Sequence, residues 1–417
     1  MKVLIFNTFE NEGGASKATI RIHKALIKEN IDSKVVVMFK KGKDPTIIGL
    51  DSNLIKKLLN KIRLQIDFLP LRLYRKRKNT VFTVSWLGAN IKKLIRKVNP
   101  DLCFLTWISA GFIRIEDIAL IKQPIIWRLS DSWPFTGGCH VPGDCTNYII
   151  KCGNCHILRS NKENDLSRIN WNRKRKAWSK LNMTIVCPSN WMADCARKSS
   201  LLADKKIVVI PNAIEVTLFK PQEKLIARRK FNFQQEKLLI MFGASNSNSD
   251  PNKGMHLLIP AIKNFSKTKM GSNAELIIFG ADQPKDSPDF GIKVNYMGKI
   301  LNEAILASLY AAVDIFIAPS LQDNSANTVL EALSCGTPCI AFNTSGMPDL
   351  IKHKENGYLA QSFDIFDLEQ GIIWLLEDTD RLCNLGKKAR ESVILNNSSE
   401  IVAKKYVNLF NELTNLN

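Results

Sequence analysis

The chain has 417 residues, of which 45% are hydrophobic and 24% charged, and its formal net charge is +20 at pH 7. This length allows two or three domains with full cores, and no apolar run reaches the roughly 18 residues of a membrane-spanning helix. The positive charge favours an anionic partner, for which nucleic acid, an anionic membrane surface and anionic small molecules are the candidates.

The first predicted strand, Val3–Asn7, leads into a loop with two adjacent glycines, Gly13 and Gly14, and then into a helix that runs through Leu26. The N-terminal apolar run is too short for a secretion signal, so a cytoplasmic location is expected. Paired glycines allow the backbone to approach a bound anion closely. A plain strand-to-helix turn uses the same residues, so both interpretations stay open.

Positive charge is concentrated early in the chain, around an apolar-rich segment at residues 58–74. Pro70 argues against one continuous helix through this segment. Bulky apolar residues among cations are typical of an interfacial membrane contact, although a solvated basic surface gives the same composition. The cations of this region are Lys40, Lys41, Lys43, Lys56, Lys57, Arg72, Arg75, Lys76, Arg77, Lys78, Lys92, Lys93, Arg96 and Lys97.

Four of the ten cysteines stand close together in the sequence, at Cys139, Cys145, Cys152 and Cys155. They have the ligand count of a structural zinc site, although the gap between the second and third is short for a zinc ribbon. Reduced thiols are the alternative, and disulfides are not expected in the cytosol. The cluster therefore predicts either a thiol-bound metal or four free thiols.

Short apolar runs alternate with helical patterns along the whole chain, and they do so in two successive sets. Nearly continuous apolar strands between helices predict parallel sheets that are covered on both faces. The fold class is therefore α/β, with two doubly wound domains that join near Pro211–Pro221. The predicted strands are Val3–Asn7, Lys34–Met38, Leu102–Trp107, Pro124–Ser130, Met183–Ser189, Ile207–Pro211, Leu238–Gly243, Glu275–Gly280, Val294–Gly298, Ile315–Ser320, Pro338–Phe342 and Gly357–Ala360.

In the second set, a polar loop after Leu238–Gly243 ends in Lys253 and Gly254, where the next helix starts. A lysine beside a helix N-terminus is electrostatically unfavourable unless an anion binds there. With a diphosphate bound, it would neutralise the charge that develops on a leaving group. A surface lysine in a loop is the alternative.

Farther along, the strand Ile315–Ser320 leads into a loop that carries Asp323, and a helix begins near Ser325 and ends at Gly336. Glu331 lies on this helix, eight residues after Asp323. Free N–H groups and the helix dipole favour a phosphate at such an N-terminus, whereas the two acids suit neutral hydroxyls beside it. Sugar plus diphosphate is the ligand that fits. Glu331 could equally be an ordinary exposed helix residue.

The segment 319–338 resembles the signature of retaining glycosyltransferases with the GT-B fold, in family four of their classification. That signature has two Glu residues separated by seven, and Asp323 replaces the first of them. The resemblance implies two Rossmann-like domains facing a central cleft, with a nucleoside-diphosphate sugar as donor. It assigns the donor sugar to Asp323 and Asn324, the ribose to Glu331, and the diphosphate to Lys253 and the helix start at Ser325, Ala326 and Asn327. Gly13 and Gly14 would face both the donor phosphate and the acceptor.

The resemblance has departures. Ala244 and Ser245 stand where the family usually has an Arg, and Ser130 stands where many members have a His. Asp131, beside it, remains a candidate for acceptor hydroxyls, and local backbone capping is its alternative role. The cysteine cluster is similar to one in a polysaccharide-biosynthesis subgroup of the family.

Three segments are predicted: an acceptor-side domain at residues 1–214 with a Cys-rich insert near 136–158, a nucleotide-sugar-binding domain at 215–398, and a helix at 399–417 that crosses back to the first domain. The expected activity is hexosyl transfer to a saccharide acceptor, lipid-linked and at the inner membrane face, in surface polysaccharide assembly. Lys253, Asp323 and Asp131 are the catalytic candidates. Neither a catalytic metal nor a nucleic-acid partner is expected. A structural zinc at the four cysteines is possible. The alternatives are a catalytically silent GT-B scaffold and a basic protein that binds nucleic acid or membranes.

Overall fold

The computed structural model describes residues 1–243 and 250–414 of the chain. They divide into two compact units, the first formed by Met1–Pro211 with Val402–Asn417 and the second by Asn212–Ile401. The division therefore falls after Pro211 rather than after Ile214. The C-terminal return to the first unit falls after Ile401, within the last helix.

The first unit contains a seven-stranded parallel sheet in the order β3-β2-β1-β4-β5-β6-β7. Its six predicted strands all form, and β3 was missed because three residues at the sheet edge are too short for a periodic pattern. The strands are β1 Lys2–Phe9, β2 Asp32–Phe39, β3 Ile47–Gly49, β4 Leu102–Leu105, β5 Ile125–Arg128, β6 Met183–Cys187 and β7 Lys206–Val209. The helices are α1 Gly13–Lys28, α2 Leu54–Asp67, α3 Ile91–Val98, α4 Leu166–Trp178 and α5 Asn190–Lys198.

The second unit contains a six-stranded parallel sheet in the order β10-β9-β8-β11-β12-β13, and its six predicted strands all form. The strands are β8 Leu238–Gly243, β9 Ala274–Phe279, β10 Lys293–Tyr296, β11 Ile315–Ala318, β12 Cys339–Phe342 and β13 Gly357–Ala360. The helices are α6 Lys224–Arg229, α7 Met255–Phe265, α8 Glu303–Ala312, α9 Asn327–Ser334, α10 Met347–Leu350, α11 Ile365–Leu376 and α12 Thr379–Asn397. A further helix, α13 Ser399–Thr414, belongs to both units.

The last helix, α13, starts in the second unit and packs its later residues into the core of the first. The rings of Tyr406 and Phe410 lie 5.3 and 6.1 Å from the ring of Phe104 on β4, and all three side chains are fully buried. Their burial removes apolar surface from water, so this end of the chain is part of the first unit's core.

Two helical features concern membranes. Within the described residues, no helix combines the length and the apolar character needed to cross a bilayer. The segment around Pro70 is broken as predicted, because α2 ends at Asp67 and a separate turn of 3-10 helix, Leu69–Leu73, follows.

Asp67 at the end of α2 is a buried carboxylate with 0% exposure. One oxygen accepts a hydrogen bond from the backbone N–H of Trp86 at 3.2 Å. Burial raises the pKa of Asp67 from its ordinary value of 3.8 to about 6, because the charged form loses its hydration. The folded protein therefore holds a proton at this site more tightly than the unfolded chain does.

A carboxyl group whose pKa is higher in the folded state stabilises the fold at pH values below its unfolded-state pKa. This stabilisation is lost as the pH rises through its folded-state pKa. Asp67→Asn should therefore become more stable than the wild type as pH increases from about 4 to about 7, by about 3 kcal/mol at most. Urea denaturation followed by tryptophan fluorescence measures this, since seven of the eight tryptophans lie in residues 1–211. Asp204→Asn, at an exposed surface position, is the control. Parallel pH profiles for Asp67→Asn and the wild type would contradict the expectation.

Candidate active site

The loops that carry the predicted donor residues follow two neighbouring strands at the centre of the second sheet. β8 and β11 pair in parallel, and the strand order reverses between them. Lys253 and Gly254 come after β8, and Asp323 comes after β11. Ligands of doubly wound domains bind outside the carboxyl ends of the strands at such a reversal.

Gly254 makes a close approach between the two loops. Its φ of +73° is the left-handed conformation, and a Cβ atom at this position would stand 1.8 Å from the carbonyl oxygen of Pro319. Both the backbone conformation and the available space therefore require glycine. The sequence suggested Gly254 as a helix start, but the contact with Pro319, 65 residues later, is visible only in three dimensions.

Asn252 ties the same two loops together by hydrogen bonds. Its Nδ2 donates to the carbonyl oxygen of Gln322 at 2.7 Å, and its Oδ1 accepts from the backbone N–H of Gln322 at 3.1 Å. The N–H of Leu321 also donates to the Asn252 carbonyl oxygen at 2.9 Å. Sequence reasoning did not single out Asn252, because its partners lie about 70 residues away.

Lys253 and Asp323 form an ion pair between these loops. Lys253 Nζ lies 3.1 Å from Asp323 Oδ2, and the two side chains are about one-fifth exposed, at 23% and 20%. The Asp323 carboxylate is the main reason that the pKa of Lys253 is raised, and the ammonium is therefore charged at neutral pH. The structure thus places a fixed cation and an acid side by side at the reversal of strand order.

A third loop supports the acid. The backbone N–H of Asp323 donates to Ser345 Oγ at 3.2 Å, and the Asp323 carbonyl oxygen accepts from Gly346 N–H at 2.9 Å. Ser345 and Gly346 follow β12, which pairs with β11. The carboxyl ends of three adjacent strands therefore hold Asp323 in position.

Helix α9 begins beside this pair, at Asn327 rather than at Ser325. Ala326 stands at its N-cap position, and an alanine side chain offers no oxygen to the first N–H groups. Asn212 anchors the helix start, since its Nδ2 donates to the Ser325 carbonyl oxygen at 3.1 Å and to Asn327 Oδ1 at 3.0 Å. The sequence indicated Asn212 only as part of the interdomain linker.

Glu331 lies inside the second unit with 1% exposure, so its interpretation as an ordinary exposed helix residue is wrong. Its Oε2 accepts a hydrogen bond from the hydroxyl of Tyr310 at 3.2 Å, and Tyr310 is itself fully buried. A ribose hydroxyl would reach the carboxylate only after the side chain turned outward. The ribose role stays a prediction.

The predicted residues of the first unit share the carboxyl end of its sheet. Gly13 and Gly14 are exposed at the start of α1, and Gly13 has a φ of +77°. Asn7, just behind them, donates to Ser16 Oγ at 3.0 Å and accepts from the backbone N–H of Trp107 at 3.2 Å. Trp107 follows β4, the neighbour of β1, so a buried hydrogen-bond network begins under the glycine loop.

The same network reaches Asp131. Its Oδ2 accepts from Trp107 Nε1 at 2.7 Å and lies 2.6 Å from His140 Nδ1, while its Oδ1 accepts from the backbone N–H of Trp133 at 2.9 Å. His140 is 5% exposed, and its Nε2 lies 2.9 Å from Thr83 Oγ1. The predicted capping role of Asp131 is therefore present, together with a histidine contact.

His140 is a site residue that sequence reasoning missed. The family resemblance directs attention to position 130, where this chain has a serine whose Oγ accepts from Arg128 Nη1 at 3.2 Å. The loop at 131–140 instead folds back and brings a histidine from nine residues later onto Asp131. The available signal was His140 itself, which directly follows Cys139 in the sequence.

The four clustered cysteines are free thiols. Cys139, Cys152 and Cys155 are buried, and burial raises the pKa of each thiol, that of Cys152 to about 12. Across residues 1–243 and 250–414, no three His, Cys, Asp or Glu side chains are arranged to hold a metal ion. Zinc binding by these residues and Cys145 therefore stays a prediction without a matching ligand geometry. Ala244 and Ser245, where an Arg is missing, lie outside the described residues.

The two α/β units, each built on a parallel sheet, define the GT-B fold class that the sequence predicted. Sucrose-phosphate synthase from Thermosynechococcus elongatus has this fold and superposes with a TM-score of 0.73 at 16% identity, covering 100% of both chains. Residues 236–378, which include Lys253, Asp323 and Glu331, match the family Glycosyl transferases group 1.

Relatives by sequence are also glycosyltransferases. The chain is 27% identical over 220 residues to N-acetyl-alpha-D-glucosaminyl L-malate synthase of Bacillus anthracis, which covers 50% of this chain and 54% of that protein. It is 24% identical over 249 residues to UDP-Gal:alpha-D-GlcNAc-diphosphoundecaprenol alpha-1,3-galactosyltransferase of Escherichia coli, with 56% and 58% covered. The chain thus spans about half the length of the curated relatives it matches.

The contact between Gly254 and Pro319 can be tested by stability. Gly298→Ala also places alanine at a positive φ, of +59°, but its nearest neighbour is a side-chain oxygen at 3.0 Å, so it should cost about 1–2 kcal/mol. Gly254→Ala should cost about 1–3 kcal/mol more, because a backbone carbonyl must move. Thermal unfolding of the two variants measures the difference. Equal melting temperatures would show that the loops do not need this close approach.

Proposed function

We propose that the chain is a retaining glycosyltransferase that moves a sugar from a nucleoside-diphosphate sugar to a saccharide acceptor. The observation that carries the proposal is the Lys253–Asp323 pair beside the start of α9, at the reversal of strand order. A cation and a helix N-terminus together suit a diphosphate, and a carboxylate next to them suits sugar hydroxyls. The match of residues 236–378 to Glycosyl transferases group 1 supports the same chemistry.

The donor is assigned to the second unit. Lys253 and the N–H groups at Ser325–Asn327 bind the diphosphate, Asp323 and Asn324 bind the sugar, and Glu331 binds the ribose after its carboxylate leaves Tyr310. The negative charge of the departing diphosphate grows as the bond to the sugar breaks. Preorganised positive groups stabilise that change more than they stabilise the bound donor. The proposal assigns no part of this to a divalent cation.

Transfer with retention follows from attack on the face from which the diphosphate departs. The acceptor hydroxyl oxygen bonds to the anomeric carbon while the bond from that carbon to the phosphate oxygen breaks. The hydroxyl proton passes to the departing phosphate. No protein nucleophile takes part in this route, which leaves Lys253 and Asp323 as groups that bind and stabilise.

The acceptor is assigned to the first unit, with Asp131 and the Gly13–Gly14 loop. Trp107, His140 and the Trp133 N–H already hold the Asp131 carboxylate, so its orientation is set before an acceptor arrives. A carboxylate can accept about four hydrogen bonds, which leaves capacity for one sugar hydroxyl. Gly13 and Gly14 are exposed and let a ligand approach the backbone closely.

The acceptor is further proposed to be lipid-linked, in surface polysaccharide assembly on the cytoplasmic face of an anionic membrane. The name of the Escherichia coli relative specifies alpha-D-GlcNAc-diphosphoundecaprenol, a lipid-linked sugar, as its acceptor. The formal charge of +20 is favourable next to anionic lipid headgroups.

A catalytically silent scaffold of the same fold is the second candidate. It is favoured by the burial of Glu331 and by Asp323 in place of the longer acid. A panel of UDP- and GDP-sugars separates the two. An enzyme releases nucleoside diphosphate in the presence of acceptor, whereas a scaffold shows a melting shift with the nucleotide but no release.

Lys253→Ala should lower turnover by a factor of about 100 to 1,000, or about 3–4 kcal/mol of transition-state stabilisation, because the cation facing the leaving group is lost. The measurement is nucleoside diphosphate release with the donor selected by the panel. Lys263→Ala is the matched control, since Lys263 also pairs with an aspartate, Asp289 at 2.7 Å, on the surface of the same unit. Unchanged turnover in a folded Lys253→Ala variant would remove Lys253 from the mechanism.

A further inference from the structure

Helix α2 presents an apolar face to solvent. Five of its seven leucines and isoleucines are exposed, while its buried residues are the polar Asn60 and Asp67. This is the reverse of the pattern in a helix that packs on a core. The α2 apolar face consists of Leu54 at 84% exposure, Ile55 at 72%, Leu58 at 59%, Leu59 at 46% and Ile62 at 40%.

These five side chains share one side of the helix. At 3.6 residues per turn they span an arc of about 140°, and Asn60 with Asp67 lies about 160° from its centre. Lys57 and Lys61 border one edge of the arc, and Lys56 and Arg63 border the other. The α2 apolar face is therefore continuous and flanked on both sides by cations.

Buried polar contacts prevent α2 from rolling over to hide its leucines. Asn60 Nδ2 donates to the Met38 carbonyl oxygen at 2.8 Å, and Asp67 accepts from the backbone N–H of Trp86. Trp86 Nε1 in turn donates to the Ile66 carbonyl oxygen at 3.1 Å. Turning the helix would break these bonds and leave buried polar groups unpaired. The outward orientation of the apolar face is thus part of the fold.

The exposed charges of residues 52–80, the segment that contains α2, are all positive. Asp67 is the one acid in this segment, and it is buried. The turn after α2 adds two more exposed leucines, Leu69 at 44% and Leu73 at 85%. The nine cations of the segment are Lys56, Lys57, Lys61, Arg63, Arg72, Arg75, Lys76, Arg77 and Lys78.

We propose that the α2 apolar face is the element that binds the protein to an anionic lipid surface. Exposed leucines between lysines match the boundary between acyl chains and headgroups, where the apolar side chains are buried and the cations meet phosphate. A second copy of the chain fits poorly, because a twofold interface would bring the same cations face to face. The inference deepens the proposed membrane location and is independent of the donor chemistry.

Sedimentation with lipid vesicles tests this proposal. The full chain should bind vesicles that contain phosphatidylglycerol, bind phosphatidylcholine vesicles weakly, and lose binding as salt is raised. The variant Leu54→Ser/Ile55→Ser/Leu58→Ser should bind the anionic vesicles at least about tenfold more weakly, since the apolar contribution is removed. Lys56→Gln/Lys57→Gln/Lys61→Gln should also bind more weakly and should depend less on salt.

The matched control replaces three apolar residues of the second unit that are exposed to a similar degree, as Leu301→Ser/Phe366→Ser/Leu395→Ser. This variant should bind vesicles like the wild type. Equal vesicle binding by the α2 serine variant, or no binding of the wild type to anionic vesicles, would overturn the proposal. A wild-type dimer in sedimentation velocity that the α2 serine variant abolishes would overturn it in favour of self-association.

The sugar-transfer hypothesis is judged by a different readout. With a water-soluble acceptor, the α2 serine variant should release nucleoside diphosphate at the wild-type rate, because none of the residues assigned to the donor or the acceptor lies on α2. A lower rate there would show that α2 belongs to the catalytic site and would overturn its assignment as a separate lipid-binding element. Failure of every donor in the panel, with vesicle binding intact, would remove the proposed activity and leave the lipid-binding surface in place.

Discussion

The proposed donor site depends on the close approach of Gly254 to the Pro319 carbonyl oxygen. Any other residue would push the loop after β8 away from the loop after β11. Asn252 then joins the same loops by paired hydrogen bonds, and Lys253, between these two residues, is delivered to Asp323. The ion pair is thus a consequence of backbone packing. An acid and a lysine on free loops would lose side-chain entropy to meet, whereas these are held in contact before any ligand binds.

Side chains are also held in position in the first unit, where residues at three adjacent strand ends share one hydrogen-bond network. Asn7, Trp107 and Asp131 follow or end neighbouring parallel strands, and His140 completes the set from a folded-back loop. A network in which each member is satisfied is rigid, because moving one group would leave another buried and unpaired. Lys174 also supports this loop, since its buried Nζ donates to the carbonyl oxygens of Trp133 and Thr136. An acceptor would therefore meet a carboxylate whose direction is set by the protein.

Two helices, α9 at the proposed donor site and α2, have residues whose burial is unusual for their chemical type. The carboxylate residue Glu331 is buried, while three of the four leucines of α2 are exposed. A hydrogen bond from Tyr310 compensates the burial of Glu331. Hydrogen bonds of Asn60 and Asp67 hold α2 with its apolar face outward. Neither arrangement maximises the burial of apolar surface. Residues that depart from the usual pattern of burial often mark functional positions, and both helices lie where a ligand or partner is proposed to bind.

Local patterns were enough to determine the fold class, twelve of the thirteen strands and the two loops of the proposed donor site, because strand periodicity and helix-start signals involve residues a few positions apart. Strand β3 was not predicted, since a three-residue edge strand is too short to show a periodic pattern. The sequence also singled out Lys253, Asp323 and Asp131 as chemically suited to a sugar donor and acceptor. Only the tertiary structure decided that Lys253 and Asp323 touch, that His140 contacts Asp131, that Glu331 is buried, and that α2 turns its leucines outward. These facts depend on which distant segments pack together, and the contact of Gly254 with a carbonyl 65 residues away has no local signature in the chain.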